Sequence, residues 1–428
     1  MSTPQAALFP GADYETHQQV GSHLTFKGNR ADTRFGWLRL TPAYSLHLVD
    51  ELLDGVPEGG RVLDPFCGTG TTALVCALRG ISAVTTDINP FLVWLSQVKA
   101  ADYPRPTLEA FIERSTAVLT AIQETDRASE WLPPLHQIDK WWDNDTLHAL
   151  GRAMAAIADG DHGGGADDLL RIAFCRVAIE RAAVSFGHQS MSFKNAVERE
   201  RHFAAAARIE LVAEQWVAAV GSISRAALDS IPASQPEVLL CDARELTTRL
   251  QPGSVARVIT SPPYPNRMSY IRELRPYLYW LGYLTDAKQA GELDWTAIGG
   301  TWGTATSRAG HWTPPEERLI AHDGFDAIIA SIAATGKNGL LLSRYVHKYF
   351  YDMVEHIAQL YAVMEPGAGA YYIVGNSKFY ETMLPVQDIY AGMFAAQGFE
   401  RVEARAFRKR SSKRELFEFV VEAHKPAA

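Results

Sequence analysis

Cysteine is scarce in this 428-residue chain. The four present, Cys67, Cys76, Cys175 and Cys241, are scattered without a C-x-x-C pair, so neither a zinc site nor a disulfide framework is suggested and free, mostly buried thiols are expected. Long apolar runs are absent too. None reaches the roughly 20 residues of a spanning helix, and the start, MSTPQAALFPGADYE, lacks the basic opening and apolar stretch of a signal peptide. A cytoplasmic protein with no membrane partner is the expectation. Positive charge is short as well: the formal net charge is -8, which counts against non-specific coating of nucleic acid, a mode that neutralises many phosphates. A local basic cleft stays compatible. Arg405, Arg408, Lys409, Arg410, Lys413 and Arg414 cluster near the C-terminus with no acidic residue among them, although a solvated hairpin accounts for the same run. None of the 13 histidines has a Cys, Asp or Glu partner at metal-ligand spacing, so no metal is expected. There is no internal repeat and no long low-complexity tract, which excludes a solenoid.

What is present reads as a soluble globular chain, 47% hydrophobic and 21% charged, too long for one domain of average size. Short β-branched runs followed by helical patterns occur at Arg61 to Leu63, Ser82 to Thr86, Glu237 to Cys241, Ala256 to Thr260 and Ala370 to Val374. Such alternation predicts a parallel sheet covered by helices. Phe399 to Ala406 and Glu415 to Ala423 read as an antiparallel hairpin joined by the basic turn. Apolar residues recur every three or four positions in LLRIAFCRVAIERAAV and RIELVAEQWVAAV, which predicts a helical insertion. The stretch containing IGGTWGTATSRAGHWTPPEE suits an ordered loop more than a regular element, with Trp295, Trp302 and Trp312 arguing against disorder. The expected organisation is 20–103 and 236–284 as catalytic domain, 104–235 as helical insertion, 285–338 as long loop or small insertion, and 339–426 as the rest of the domain with its hairpin.

The first half carries one clear motif, RVLDPFCGTGTTALVCALRG, an apolar strand running into a Gly-rich loop and then a helix. Glycines there permit a tight turn and close approach of a ligand to the backbone. The third glycine of G-x-G-x-x-G is missing, since Thr71, Thr72 and Ala73 follow Gly70, and Asp64-Pro65-Phe66 precedes Gly68; both details point away from a dinucleotide. The next strand ends in Asp87-Ile88-Asn89-Pro90, its carboxylate 19 positions after Gly68. An acid there accepts the ribose hydroxyls of a nucleoside cofactor, whether NAD or S-adenosylmethionine. Asp242 closes the following strand and could bond the exocyclic amine of the adenine. Each Asp alone is more often a cap or surface residue; at three successive strand ends they reinforce one another.

After the strand ARVIT comes Ser261-Pro262-Pro263-Tyr264. Two consecutive prolines fix φ and push the preceding residue into an extended form, so the carbonyls are held rigidly outward. Rigid acceptors suit an amine substrate. A base amino nitrogen is a poor nucleophile because its lone pair is delocalised, and acceptors at Ser261 Oγ and the Pro262 carbonyl could orient both N–H bonds as it attacks a methyl sulfonium. Tyr264 would stack on a base rotated out of its duplex.

At these residues the sequence resembles the amino-group DNA methyltransferases of restriction-modification systems, whose cofactor motif D-P-F-x-G-x-G-T-T and catalytic motif (D, N or S, then P-P, then Y, F or W) stand here as DPFCGTGTT and SPPY. The resemblance implies a seven-stranded, mostly parallel, Rossmann-like class I methyltransferase sheet with an antiparallel hairpin. It implies S-adenosylmethionine as cofactor, double-stranded DNA as partner and a possible cognate restriction endonuclease. Serine in the first catalytic position is similar to the N4-cytosine subgroup, with N6 of adenine the alternative. In this family a segment ahead of the cofactor loop packs over the methionine end of the cofactor, and Phe35 to Leu48, with Thr41, Pro42 and Tyr44, is similar in position and character. The large insertion after the second strand departs from the pattern and leaves open which insertion reads the DNA. More distant readings are methylation of RNA or of a protein amide, and a catalytically silent DNA-binding subunit.

Tyr270, Arg272, Glu273 and Arg275 follow the catalytic loop and could face the target strand, and Arg408, Lys409, Arg410 and Lys413 are further DNA candidates, against the plain alternatives of an amphipathic helix and a solvated turn. His188 and Lys194 could contact phosphate or simply line a loop. Asn376, at a strand end in VGNS, has no assigned role.

Overall fold

The computed structural model describes residues 29, 33–38, 40, 44–124, 128–160, 163–185, 191–206, 209–229, 231, 234–266, 268–301, 303–316, 319–410 and 415–427. Parallel strands are buried on both faces and therefore read as near-continuous apolar or β-branched runs. Seven strands form one sheet, numbered within it as β1 (Val62–Asp64), β2 (Ala83–Asp87), β3 (Glu237–Leu240), β4 (Val255–Thr260), β5 (Met364–Gly375), β6 (Glu400–Lys409) and β7 (Phe417–His424). Their order across the sheet is β6-β7-β5-β4-β1-β2-β3. The first five strands pair in parallel, and β7 lies antiparallel to both β5 and β6. This is a seven-stranded, mostly parallel, Rossmann-like sheet with an antiparallel hairpin, as expected from the sequence.

The chain works outward from β1 to β3 and then returns to lay β4 on the other side of β1. Beside β1 the strand order reverses, and open α/β sheets bind ligands at such a point, outside the carboxyl ends of the strands. The loop after β1 and the loop after β4 are therefore neighbours, although about two hundred residues separate them in sequence. Strand β5 begins at Met364, earlier than the predicted Ala370, because a register shift against β4 between Val255 and Arg257 absorbs the Pro366-Gly367 irregularity. Strand β6 runs on through Lys409, past the predicted end at Ala406, by means of another irregularity between Ala406 and Arg408. Arg408 and Lys409 are consequently strand residues and not part of a turn.

In 104–235 the helices Arg105–Gln123, Asn144–Asp159, Gly165–Arg181, Ala196–Ala206 and Ile209–Ala227 follow the apolar periodicity. A two-stranded ribbon, Val184–Ser185 with Ser192–Phe193, was not predicted, being too short for a strand pattern to register. The stretch 285–338, read as an ordered loop, holds three helices instead: Ala287–Thr296, Thr304–Ala309 and Phe325–Ala333. Asp286 caps the first by accepting from Gln289 N at 2.8 Å, and burial of Phe325 and Ile332 anchors the third. Tertiary burial here overrides the loop-like composition.

One apolar core runs through the inserted helices and the sheet domain. Trp142, Phe174 and Trp216 share it with Phe91, and with Tyr277 and Trp280 of the helix Tyr270–Trp280 that follows the SPPY loop. Tyr277 stacks on Phe91 with centroids 4.9 Å apart, and Phe174 meets Trp280 edge-on at 5.2 Å. Large aromatics dominate core energetics, so the orientation of that helix is set by packing from both sides.

Buried Arg34 adds a polar joint. Its Nε donates to Ala226 O at 3.2 Å, its Nη2 to Ala227 O at 3.1 Å and Asp229 O at 2.6 Å, and its Nη1 to Lys99 O at 3.3 Å and to Ala101 O. All five N–H groups of a guanidinium thus cap the carbonyl ends of two helices, Pro90–Ala100 and Ile209–Ala227, where a cation also meets the favourable pole of the helix dipole. Arg34→Ala strands five carbonyls at the joint between inserted helices and sheet. It is expected to cost about 3 kcal/mol, with Arg34→Lys recovering only part because one ammonium cannot reach both helix ends; urea denaturation of the three proteins measures it, and an unchanged midpoint in Arg34→Ala would refute the joint.

Candidate active site

The site starts at the end of β1. The Asp64 side chain is fully buried, and its carboxylate accepts from Phe66 N at 3.1 Å, Thr260 Oγ1 at 2.6 Å and Tyr44 Oη at 3.0 Å. Burial pushes its pKa up, against the pull of those hydrogen bonds. The Tyr44 hydroxyl is shared with Thr72 at the start of the next helix. Asp64, Tyr44 and Thr72, singled out from the sequence as cofactor residues, spend their polar atoms on one another and on Phe66 and Thr260. Thr41, Pro42, His188 and Lys413 lie outside the described residues.

From Asp64 the chain turns through Pro65, Phe66 and Gly68 into the helix Thr71–Arg79, whose N-cap is Gly70 at φ +76°. A Cβ on Gly70 would come within 2.7 Å of Ser96 Oγ and 2.9 Å of Ser96 Cα, so only glycine lets this loop lie against the helix Pro90–Ala100. Thr71 is buried, its hydroxyl 3.2 Å from that of Thr69. At the end of β2, Asp87 accepts from Gly68 N at 3.1 Å and from Asn89 N at 2.9 Å, and burial pushes its pKa up to about 7. Ile88 beside it is half-buried. Asn89 caps the following helix through Phe91 N at 3.0 Å, and its buried Nδ2 has no hydrogen-bond partner among the described residues.

Two further groups at the loop were not legible in the sequence. Buried Lys99 donates to Thr69 O at 3.0 Å and Phe35 O at 3.4 Å, tying the segment ahead of β1 to the Gly-rich loop, and burial pushes its pKa down to about 7. The only signal was a lysine inside the apolar helix PFLVWLSQVKA. His356 packs against the Phe66 ring at 4.9 Å. Its Nδ1 lies 2.8 Å from Ala243 O and its Nε2 2.6 Å from the Tyr372 hydroxyl. A carbonyl can only accept, so Nδ1 carries the proton and Nε2 accepts from Tyr372; burial holds the ring neutral, with its pKa pushed down to about 4.

Asp242, just past β3, is held by one neighbour. Arg244 donates to it through N at 2.9 Å, Nε at 3.0 Å and Nη2 at 2.6 Å. Burial raises the Asp242 pKa, but the Arg244 bonds and charge outweigh it and the net shift is downward. Arg244 also reaches Asp352 at 3.2 Å and Thr296 O at 2.7 Å, which anchors the 285–338 stretch beside this end of the site.

At the end of β4 the SPPY loop leaves the sheet. Ser261 Oγ donates to Ile373 O of β5 at 3.1 Å. No described residue donates to the Pro262 carbonyl. The Pro263 carbonyl accepts from Tyr349 Oη at 2.8 Å, and Tyr264 N donates to Tyr270 Oη at 3.3 Å. The Arg410 guanidinium lies 5.4 Å from the Tyr264 ring centroid and donates to Asn376 O at 3.2 Å. Asn376, which had no assigned role, bonds Glu415 O and Phe417 N at 2.9 Å each and so ties the end of β5 to the hairpin.

The other DNA candidates separate by exposure. Arg272 and Lys409 are exposed. Arg408 is engaged by Glu418 through Nε at 2.9 Å and Nη2 at 2.5 Å, and Glu273 is buried, accepting from Met191 N at 2.5 Å. The Arg275 guanidinium covers Trp141 at 4.8 Å, and Lys194 Nζ sits 2.8 Å from His202 Nδ1. Of the basic cluster in the hairpin, Arg408 and Arg410 therefore turn onto the protein.

Gly375 at the end of β5 has no space for a side chain: a Cβ there would lie 2.7 Å from Arg410 Nη1 and 3.0 Å from Tyr264 Cε2. Gly375→Ala is expected to cost about 1 kcal/mol by overpacking, since the guanidinium can shift more readily than the ring. Urea denaturation reads the cost, and an unchanged midpoint would show that the ring and Arg410 are not crowded at this point.

Residues 46–130 match a family model described as D12 class N6 adenine-specific DNA methyltransferase. Over 69 residues the chain is 33% identical to the type II methyltransferase M.BsoBI of Geobacillus stearothermophilus, a stretch covering 16% of this chain and 14% of that protein. Over the same extent it is 30% identical to the type II methyltransferase M.AvaI of Nostoc sp. (strain PCC 7120) and of Anabaena variabilis. The match thus spans only 14% of the length of these curated relatives. A solved structure, the rRNA methyltransferase aviRa from Streptomyces viridochromogenes, aligns over 90% of this chain and 86% of that one at 11% identity and a TM-score of 0.27, a likeness too slight to carry an argument. The similarity to DNA methyltransferases is carried by the stretch from the helix ahead of β1 through β2 and into the inserted helices, the side of the site built on the Gly-rich loop.

Proposed function

We propose that the chain is an S-adenosylmethionine-dependent DNA methyltransferase acting on an exocyclic amino group, with N4 of cytosine as its target. The observation that carries the reading is the adjacency, at the point where strand order reverses, of the loop after β1 and the SPPY loop after β4. The cofactor supplies an electrophilic methyl group on a sulfonium. The residues fit its nucleoside: Asp87 offers a carboxylate at the end of β2, Asn89 a buried donor without a partner among the described residues, and Phe66 an apolar ring braced by His356. A carboxylate has about four acceptor positions, and Arg244 takes three on Asp242, leaving one for an adenine amine. Asp64, Tyr44 and Thr72 act by shaping the loop.

Ser261 and Pro262 carry the argument for an amine substrate. A hydroxyl has one proton to donate and two lone pairs. Ser261 gives its proton to Ile373 O, which leaves Oγ an acceptor, and the Pro262 carbonyl is a second acceptor to which no described residue donates. Two fixed acceptors suit the two N–H bonds of an amino group and favour the charge that develops on nitrogen during attack. Tyr264, covered on one side by Arg410, offers its ring to a base rotated out of double-stranded DNA. The proton leaves the product nitrogen after transfer, with no covalent enzyme intermediate.

Serine at the first catalytic position is the basis for cytosine. Adenine N6 is the second reading, favoured by the description of the matched family model; that match ends at residue 130, ahead of Ser261. Mass spectrometry of nucleosides from DNA incubated with the protein and isotopically labelled cofactor decides between them. Labelled 4-methylcytosine is expected, 6-methyladenine would reassign the base, and no label on any DNA would overturn the function.

Ser261→Ala and Tyr264→Ala are expected to lower turnover about 100-fold while cofactor binding is retained. Near-normal methylation in both would sink their roles. Asp87→Ala is expected to raise the cofactor dissociation constant instead. Only the carboxylate form of Asp87 accepts fully from ribose hydroxyls, so with a pKa of about 7 affinity should hold above that pH and fall below it. The dissociation constant is expected to rise roughly tenfold at one pH unit under the pKa. Calorimetric titrations at several pH values read this; a flat profile in the parent protein, matching that of Asp87→Asn, would refute it.

A further inference from the structure

The peptide unit between Pro263 and Tyr264 is held at both ends by tyrosine hydroxyls from different helices. Its carbonyl accepts from Tyr349 Oη at 2.8 Å, and its N–H donates to Tyr270 Oη at 3.3 Å. Tyr349 belongs to the helix Gly339–Val363 and Tyr270 opens the helix Tyr270–Trp280. The Tyr349 hydroxyl also lies 2.7 Å from that of Tyr390, on the helix Val386–Ala396. A carbonyl can only accept, so the one Tyr349 proton goes to Pro263 and Tyr390 must donate to Tyr349. Tyr349 and Tyr390 are both buried, and burial raises the pKa of each, keeping the relay protonated.

We propose that Tyr349, Tyr390 and Tyr270 are positioning residues that fix the direction of the Pro262 carbonyl. The reasoning is conformational. The proline rings fix φ at Pro262 and Pro263, and a residue before proline is confined to extended ψ. Anchoring the next peptide plane at both its carbonyl and its N–H fixes ψ of Pro263 and φ of Tyr264. No soft backbone torsion is then left between Pro262 and the Tyr264 Cα, so the Pro262 carbonyl is held in one arrangement relative to the point from which the Tyr264 ring leaves the chain. Nothing in the sequence signals this, since the three tyrosines are spread from 270 to 390 and no motif contains all of them.

This inference rests on the reading of Ser261–Tyr264 as the base-holding loop, and its test separates the two. Tyr349→Phe removes a single oxygen, and Tyr270→Phe removes the other anchor. Hydrogen exchange of the peptide containing the Tyr264 amide needs no activity: faster exchange is expected in both variants, most in Tyr270→Phe, with circular dichroism reporting that the fold is kept. In steady-state methylation, Tyr349→Phe should lower kcat by about 100-fold, the order of loss caused by misplacing reacting groups by about an ångström, with calorimetric cofactor affinity unchanged. Tyr390→Phe, which leaves the Tyr349 bond to Pro263 intact, should fall between it and the parent. Unaltered Tyr264 exchange in both anchor variants, or a loss of cofactor affinity parallel to the loss of kcat, would overturn the proposal. If the parent protein methylates no nucleic acid, the functional reading fails while the exchange experiment still decides whether the clamp exists.

Discussion

The buried carboxylate of Asp64 is the constraint on which the rest of the site depends. Taking such a group out of water is costly unless it is fully hydrogen-bonded, and the chain satisfies it from separate places: Tyr44 ahead of the sheet, Phe66 within the Gly-rich loop, and Thr260 at the end of β4. Because Thr260 immediately precedes Ser261, the same carboxylate that shapes one loop also sets where the other begins. Strand order brings the two loops to the same edge of the sheet; Asp64 fixes the distance between them.

Around that centre, buried polar contacts bind the inserted segments to the edge that carries the two loops. Arg34 caps the Pro90–Ala100 helix and a helix of the first insertion together. Glu273 takes the amide of Met191, just ahead of the second ribbon strand, and Ser269 bonds the buried Asp294 of the second inserted stretch at 2.5 Å. Both insertions thus border the helix that follows the SPPY loop. The basic residues behave similarly: Arg244, Arg257, Arg408 and Arg410 each turn guanidinium donors onto carbonyls or carboxylates of the protein. A count of positive charges along the chain consequently overstates what the surface offers to phosphate.

Much of the fold was legible because parallel strands buried on both faces leave β-branched runs, and because amphipathic helices leave a three-to-four residue period. The candidate residues of the site were legible for a related reason: Gly70, Asp87 and the two prolines of SPPY are required by backbone geometry close to them in the chain. Where the reading differed from the structure, distant partners intervened. The 285–338 stretch looked like a loop by composition but is helical once Phe325 and Ile332 are buried. Asp64 looked like a ligand-facing acid and is an internal tie, while Asn376 and Tyr349 gave no local sign of their contacts and Lys99 only that of a lysine in an apolar helix.

The sequence by itself determined the strands, their mostly parallel character and the two motif loops at the carboxyl edge of the sheet, because each follows from burial pattern, glycine and proline acting over a few residues. Only the tertiary structure decided which polar atoms remain free at that edge. Whether Ser261 Oγ is an acceptor, how many positions Asp242 retains, and what holds the Pro263 carbonyl all depend on Ile373, Arg244 and Tyr349, which lie far from some of these positions in the chain. A hydrogen bond is fixed by separation in space, and separation in space is set by packing.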